Sequence, residues 1–284
     1  LALAELLAAD EAAAWGRLVP GGVEVLEVHG PREVRPWASV SKLAAALAVH
    51  VAIEDGSLPG GEGLGAYGLA PLDLLAHAAG LPGGEASDPR LADPGAAVPS
   101  VAPGTRRIYS NLGYELLGRG VAAVTGEPFS EYLREAVLAP LAMHTARVQV
   151  SEGLTGAAFG VVGGIEDLVG LVRGLAVPGI VAAETLGAMV TPRYPELEGV
   201  LPGFGHQRPN PWGLGPELRG QKSPHWTSPQ SSLATFGHFG QSGSFVWLDP
   251  EAGAWMAYLG PRPFGPWAKE RWPVLATQVL ALAS

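Results

Sequence analysis

Trp37-Ala38-Ser39-Val40-Ser41-Lys42, followed by Leu43-Ala44-Ala45-Ala46-Leu47-Ala48-Val49-His50-Val51-Ala52-Ile53, is the stretch on which the reading of this chain turns. The run after Lys42 is apolar nearly all round, which predicts a helix buried on every side, and Gly56 supplies its stop. Ser39 and Lys42 stand three residues apart at its mouth, so a helix beginning near Ser39 sets both side chains on one face, within reach of each other. A serine hydroxyl attacks poorly without a base, and a lysine held in an apolar pocket loses its proton more readily and can serve as that base. The free N–H groups and positive dipole end of the helix favour negative charge on Ser39 and on the oxygen of an attacked carbonyl. Taken alone, the motif also fits a helix cap followed by a solvated lysine, because S-x-x-K fixes only two positions.

The composition narrows the classes. A chain of 284 residues with 47% hydrophobic and 16% charged residues is long enough for a sizeable core and is not disordered. Its 18 Lys plus Arg stand against 27 Asp plus Glu, a formal charge of -9 with no basic cluster, which disfavours nucleic acid and anionic membranes as partners. There is no cysteine, so disulfides, thiolate catalysis and cysteine metal sites are excluded. The seven histidines show no H-x-x-x-H spacing, so no metal is expected. The apolar runs fall short of the roughly 20 residues a membrane span needs. Leu1 to Leu7 carries Glu5 and is followed by Asp10 and Glu11, wrong for a secretion signal, so the expected location is cytoplasmic, with a trimmed export signal left open.

Outward from the Ser39 stretch, Leu1 to Trp15 repeats leucine and alanine at helical spacing and predicts an N-terminal helix, broken by Pro20-Gly21-Gly22. Val23, Val25 and Val28 alternate with polar residues, and Gly30-Pro31 offers a turn into Glu33 to Trp37, so a hairpin is expected there. Gly63-Leu64-Gly65-Ala66-Tyr67-Gly68 is formally G-x-G-x-x-G, but no apolar strand precedes it and Pro71 interrupts any following helix, so the dinucleotide reading fails. Helices are expected at Asp73 to Ala79, from Asn111 to Gly126, from Glu127-Pro128 to about Leu138, after Gly163-Gly164, and at Glu184 to Val190. From Trp212 the period changes toward two, predicting strands at Trp212 to Leu218, Thr235 to Gly240, Ser244 to Leu248 and Ala254 to Leu259, before a helix from Pro266 to Ala283. The fold class is therefore α/β (α+β): one antiparallel sheet built from both termini and flanked by N- and C-terminal helices, plus a helical domain. The expected division puts residues 1–55 and 190–284 in the sheet domain, with the Ser39 helix at the interface, and residues 56–189 in the helical one.

Three polar clusters stand out against this apolar background: Ser39-x-x-Lys42, Tyr109-Ser110-Asn111 at another helix start, and His238-Phe239-Gly240-Gln241 on a strand. Lys42 and the Tyr109 phenol can share the duties of general base and general acid toward Ser39. Asn111 can donate and accept toward a bound amide or ester. Gly240 clears side-chain bulk from a strand where a ligand can lie, and the Gln241 N–H can point at a developing oxyanion.

At this point the chain resembles the serine β-lactamase and penicillin-binding protein superfamily, especially the branch of class C β-lactamases, DD-peptidases and related esterases. Ser39-Val40-Ser41-Lys42 resembles its first motif, Tyr109-Ser110-Asn111 its second, and His238-Phe239-Gly240 its Lys/His-Thr/Ser-Gly third. Flanking stretches such as His77-Ala78-Ala79-Gly80-Leu81-Pro82, Pro103-Gly104-Thr105 and Leu248-Asp249-Pro250 also resemble the family, in matching order. The resemblance implies a β-lactamase/transpeptidase-like fold with the site in the cleft between its two parts. It implies Ser39 as acylated nucleophile, Lys42 and Tyr109 as the proton-transfer pair, and the N–H groups of Ser39 and Gln241 as oxyanion hole. Asn111, His238, Phe239 and Gly240 become substrate contacts, and no cofactor is implied.

Two departures bear on the substrate. Phe239 replaces the Thr or Ser whose hydroxyl helps hold a substrate carboxylate, and His238 replaces the lysine usual in β-lactamases, a weaker cation near neutral pH. No E-x-x-L-N segment is present for the class A deacylation route. An esterase, or a peptidase or amidase, acting on a small ester, amide or peptide is therefore expected, with weak β-lactamase activity compatible. The alternative is a non-catalytic binding or scaffold protein that kept the fold. Gly240-Gln241-Ser242-Gly243-Ser244 also approximates the G-x-S-x-G elbow of α/β-hydrolases but lacks its final glycine.

Overall fold

A computed structural model of the chain describes residues 3–61, 63–149 and 151–283. In chain order the elements are β1 (Ala12–Val19), β2 (Gly22–His29), β3 (Arg35–Pro36), α1 (Ser41–Glu54), α2 (Pro71–Leu75), α3 (Asn111–Thr125), α4 (Phe129–Leu133), β4 (Arg147–Val148), β5 (Val161–Gly163), α5 (Ile165–Ala176) and α6 (Ala183–Met189). They continue with β6 (Gly199–Leu201), β7 (Gly205–Gln207), β8 (Glu217–Leu218), β9 (Phe236–Gly240), β10 (Ser244–Asp249), β11 (Ala254–Leu259) and α7 (Pro266–Ala283).

One six-stranded antiparallel sheet, in the order β2-β1-β11-β10-β9-β8, joins the two ends of the chain. Its central strands are buried on both faces, and alternation sorts their side chains between two cores. Phe245, Trp247, Met256 and Tyr258 point to one face, where Trp272, Leu275, Ala276 and Val279 of α7 cover them. Val246, Leu248, Trp255 and Ala257 point to the other face and join the larger core that contains α1 and α5. α5 packs on β11, β1 and β2. α1 is apolar on every side because α3, α4 and α5 surround it. A small sheet, β3-β5-β4, and the hairpin β6–β7 flank the cleft.

The N-terminal helix expected from Leu1 to Trp15 is not formed over the described residues, and Leu1 and Ala2 lie outside them. Leu3–Leu6 is a single 3-10 turn, and Ala12 begins β1. Alanine favours helix intrinsically, but β1 is a central strand between β2 and β11, and small side chains let α5 and α7 approach it closely. The hairpin also differs from expectation. β2 pairs with β1 across Pro20-Gly21, where Gly21 takes φ +70°, and β3 pairs with β5 rather than with β2. The strand expected over Trp212 to Leu218 is confined to Glu217–Leu218. Gly63 to Gly68 is a tight loop closed by reciprocal Leu64–Leu69 backbone bonds. The Gly240–Ser244 stretch is the β9–β10 hairpin turn, strand to strand, whereas an elbow leads from strand to helix.

Candidate active site

The turn that carries Ser39 is held from three directions. Ala38 takes φ +46°, a conformation few residues with a side chain adopt, and a 3-10 turn over Ala38–Val40 leads into α1 at Ser41. Trp37 anchors it: its N–H donates to Val161 O at 3.0 Å, its indole to Gly163 O at 3.2 Å, and its carbonyl accepts from Ser244 Oγ at 2.7 Å. Gly240 completes the contact, because a Cβ there would lie 2.3 Å from Trp37 O and 3.2 Å from Ala38 Cβ. The missing bulk at Gly240 thus lets β9 touch the turn that carries Ser39, where the sequence suggested room for a ligand.

Lys42 follows one turn later and is fully buried. Its Nζ donates to Asn111 Oδ1 and to Ala158 O, each at 2.7 Å, and lies 3.5 Å from Ser39 Oγ. Burial lowers its pKa to about 7, against the opposing pull of the Glu115 charge. The Glu115 carboxylate, buried on α3, accepts from Thr155 N–H, Thr155 Oγ1 and Ala158 N–H, and so holds the loop whose carbonyl receives Lys42.

Tyr109 approaches from the segment before α3. Ser110 caps that helix by accepting from Gly113 N–H and donates to Pro82 O. The Ser110 N–H donates to His77 Nδ1 at 3.0 Å, which leaves the His77 proton on Nε2. Arg107, buried, donates to the carbonyls of Ala76, Arg193, Tyr194 and Asn210 and ties three loops behind Tyr109. The Tyr109 ring lies 4.5 Å from that of His77 and 5.8 Å from those of Trp212 and His238. Burial raises its phenol above the ordinary range, although a hydrogen bond with Ser39 pulls the other way.

Ser39, Tyr109, Asn111, His238, Phe239 and Gln241 line one cavity of about 950 Å³, with Lys42 beneath its floor and Gly240 behind it. A separate cavity of about 630 Å³ beside α3 and α4 touches none of them. Asn111 is largely engaged by the protein: Oδ1 accepts from Lys42 and Nδ2 donates to Gly84 O at 2.7 Å, leaving one N–H for a ligand. The expected weak cation at His238 is overturned. Its Nδ1–H donates to Phe239 O at 2.7 Å, and burial, with Lys42 adding, lowers its pKa to about 3, so it is a neutral ring with a buried, unpartnered Nε2. The Phe239 ring joins the core on the α7 side of the sheet, against Phe264 at 4.9 Å and Trp272 of α7 at 5.8 Å, and Phe239 also lines the cavity.

Sequence reasoning did not single out Glu115, Ala158 O, the indole of Trp212 or the acid–base cluster behind it. Glu217, at the cavity wall, binds Lys222, the His225 Nε2 at 3.0 Å and the Trp226 indole at 2.8 Å, all buried. Lys222 Nζ lies 5.3 Å from the centre of the Trp212 ring, which packs edge-on to His77 and His238. The one available signal was a glutamate and a lysine five residues apart, Glu217 and Lys222, between Trp212 and Trp226.

The fold has counterparts among known proteins. A family model described as Beta-lactamase matches residues 18–280. A solved beta-lactamase from Mycobacterium bovis is 42% identical over 96% of this chain and 95% of its own, with a TM-score of 0.85. A mutant of simvastatin synthase from Aspergillus terreus shares 16% identity over 96% of this chain and 90% of that one, with a TM-score of 0.74. EstCE1, a hydrolase with promiscuous acyltransferase activity, shares 18% over 94% and 93%, with a TM-score of 0.72. The last two likenesses show a common fold alone. Among curated proteins there is no match.

Proposed function

The chain belongs to the beta-lactamase family, and from that premise we propose that it is a serine hydrolase working through an acyl-enzyme on an ester or amide bond. One observation carries the reading: Lys42 Nζ spends two short hydrogen bonds on Asn111 and Ala158 and stands 3.5 Å from Ser39 Oγ. A neutral amine has two N–H groups, so those bonds leave its lone pair for the serine proton. With its pKa lowered to about 7 by burial, Lys42 reaches that form near neutral pH. Tyr109, kept protonated, is suited to donate rather than to abstract.

In acylation the Ser39 oxygen bonds to the substrate carbonyl carbon as its proton passes to Lys42. The Tyr109 proton goes to the departing oxygen or nitrogen as that bond breaks, and Lys42 then returns its proton to the Tyr109 oxygen. Water repeats the sequence in deacylation and releases the acid. The N–H groups of Ser39 and Gln241 are assigned to the oxyanion, a role supported by the contact of Gly240 with the nucleophile turn and by the position of both residues on the cavity wall.

The test is a burst of p-nitrophenol from p-nitrophenyl acetate that vanishes in Ser39→Ala; full turnover in that variant would end the proposal. Mass spectrometry after fluorophosphonate or penicillin treatment should find the adduct on Ser39. A stable Ser39 adduct without turnover of any ester, amide or nitrocefin would instead identify a binding protein.

A further inference from the structure

We propose that the substrate is an uncharged ester with an apolar acyl chain, which lies against Ile108, Phe159 and Val200. The inference rests on the hydrolase reading and concerns what the cavity around Ser39 selects. Each of these side chains lines the cavity and is tied to the machinery. Ile108 precedes Tyr109, and its N–H is bonded to His77 O. Phe159 follows Ala158, the residue that receives Lys42. Val200 stands on the β6–β7 hairpin, which is fastened to the Tyr109 segment by Arg107 N–H to Glu198 O at 3.0 Å and by the close approach of Gly199 to Arg107 O. Val200 is 56% exposed, an apolar side chain left to solvent where the cavity opens.

The charged and titratable groups around the cavity offer little to a carboxylate. Arg107 is consumed by four carbonyls, and Glu217 is an anion enclosed by its own partners. His238 donates its only N–H to Phe239 O and presents a bare acceptor nitrogen. At the mouth, His206 lies 3.4 Å from Glu198, and Glu85 adds another negative charge. Lys42 lies beneath the floor, where Asn111 Oδ1 and Ala158 O already accept from it, and among the described residues of the cavity wall Arg106 is the remaining cation, on an exposed residue, where water screens it. A carboxylate at the end of an acyl chain lying against Ile108, Phe159 and Val200 would lose its hydration without gaining a buried cation on that wall.

The experiment compares p-nitrophenyl acetate, butyrate and hexanoate with the mono-p-nitrophenyl ester of adipic acid, whose acyl chain matches hexanoate but ends in a carboxylate. From acetate to butyrate kcat/KM is expected to rise roughly fourfold per methylene, the rate equivalent of ~0.8 kcal/mol. Hexanoate is expected to exceed the adipate ester by roughly tenfold or more, from the desolvation of the charge. Val200→Asp, a change at an exposed position, should lower the butyrate-to-acetate ratio, and Arg106→Gln should leave the hexanoate rate unchanged. A flat chain-length series, or an adipate ester that is preferred and loses its advantage in Arg106→Gln, overturns the inference while the Ser39-dependent burst keeps the hydrolase reading intact.

Discussion

Lys42 was legible in the sequence as a base candidate because of its spacing from Ser39 and the apolar run behind it. Its partners were not, since Ala158 contributes a backbone oxygen, which leaves no trace in side-chain identity. With the neutral amine proposed as the base, kcat/KM should rise with pH through about 7, the value to which burial lowers Lys42. Glu115 opposes that lowering, so Glu115→Gln should move the rise to lower pH. Lys42→Met should remove the rise and cost about 10²- to 10⁴-fold in rate, the usual worth of a positioned base. Stability follows the same proton. A lysine whose pKa falls from 10.5 to about 7 on folding adds stability that is complete above 10.5 and is lost as pH falls to about 7. The Tm gained by the wild type across that window should shrink in Lys42→Met. His238 shows how residue identity misleads: histidine suggested a weak cation, and burial beside Lys42 makes it a neutral acceptor.

Elements with a strong period were readable, and those set by long-range pairing were not. The strands from Phe236 to Leu259 stand nearly where alternation put them, because each has one face on either core and no other register buries both sets. The N-terminal segment defeated the same reasoning, since alanine at helical spacing says nothing about a vacant place between two strands. β9 has a positional demand of its own. Gly240 lies so close to Trp37 O that Gly240→Ala must push the strand away from the turn that carries Ser39, carrying Gln241 with it. If the Gln241 N–H serves the oxyanion, kcat should fall by about 10²- to 10³-fold with KM little changed, while circular dichroism and Tm report a retained fold. Unchanged kcat would remove Gln241 from that role.

Across the whole molecule, the Glu217–Lys222–His225 cluster joins the sheet edge to the aromatic wall of the site through Trp212. Burial pushes the Glu217 carboxyl up, yet Lys222 and His225 together hold it well below its ordinary range, while burial lowers Lys222 to about 8. Breaking such a buried pair from one side should cost about 3–5 kcal/mol. Glu217→Gln and Lys222→Met should therefore each lower the urea midpoint, and the double variant should lose less than the two combined, because neither charge is then left alone. Additive losses would mean the two residues are not coupled. The sequence by itself determined the three motifs, the buried α1, the antiparallel strands near the C-terminus and the resemblance to a family, because these depend on residue type and local period. Only the tertiary structure decided that β1 is a strand, that His238 is uncharged, that Phe239 faces α7 and that Gly240 serves a contact. Each of those depends on what a distant segment brings against the residue, and neither burial nor pairing is encoded by the residue alone.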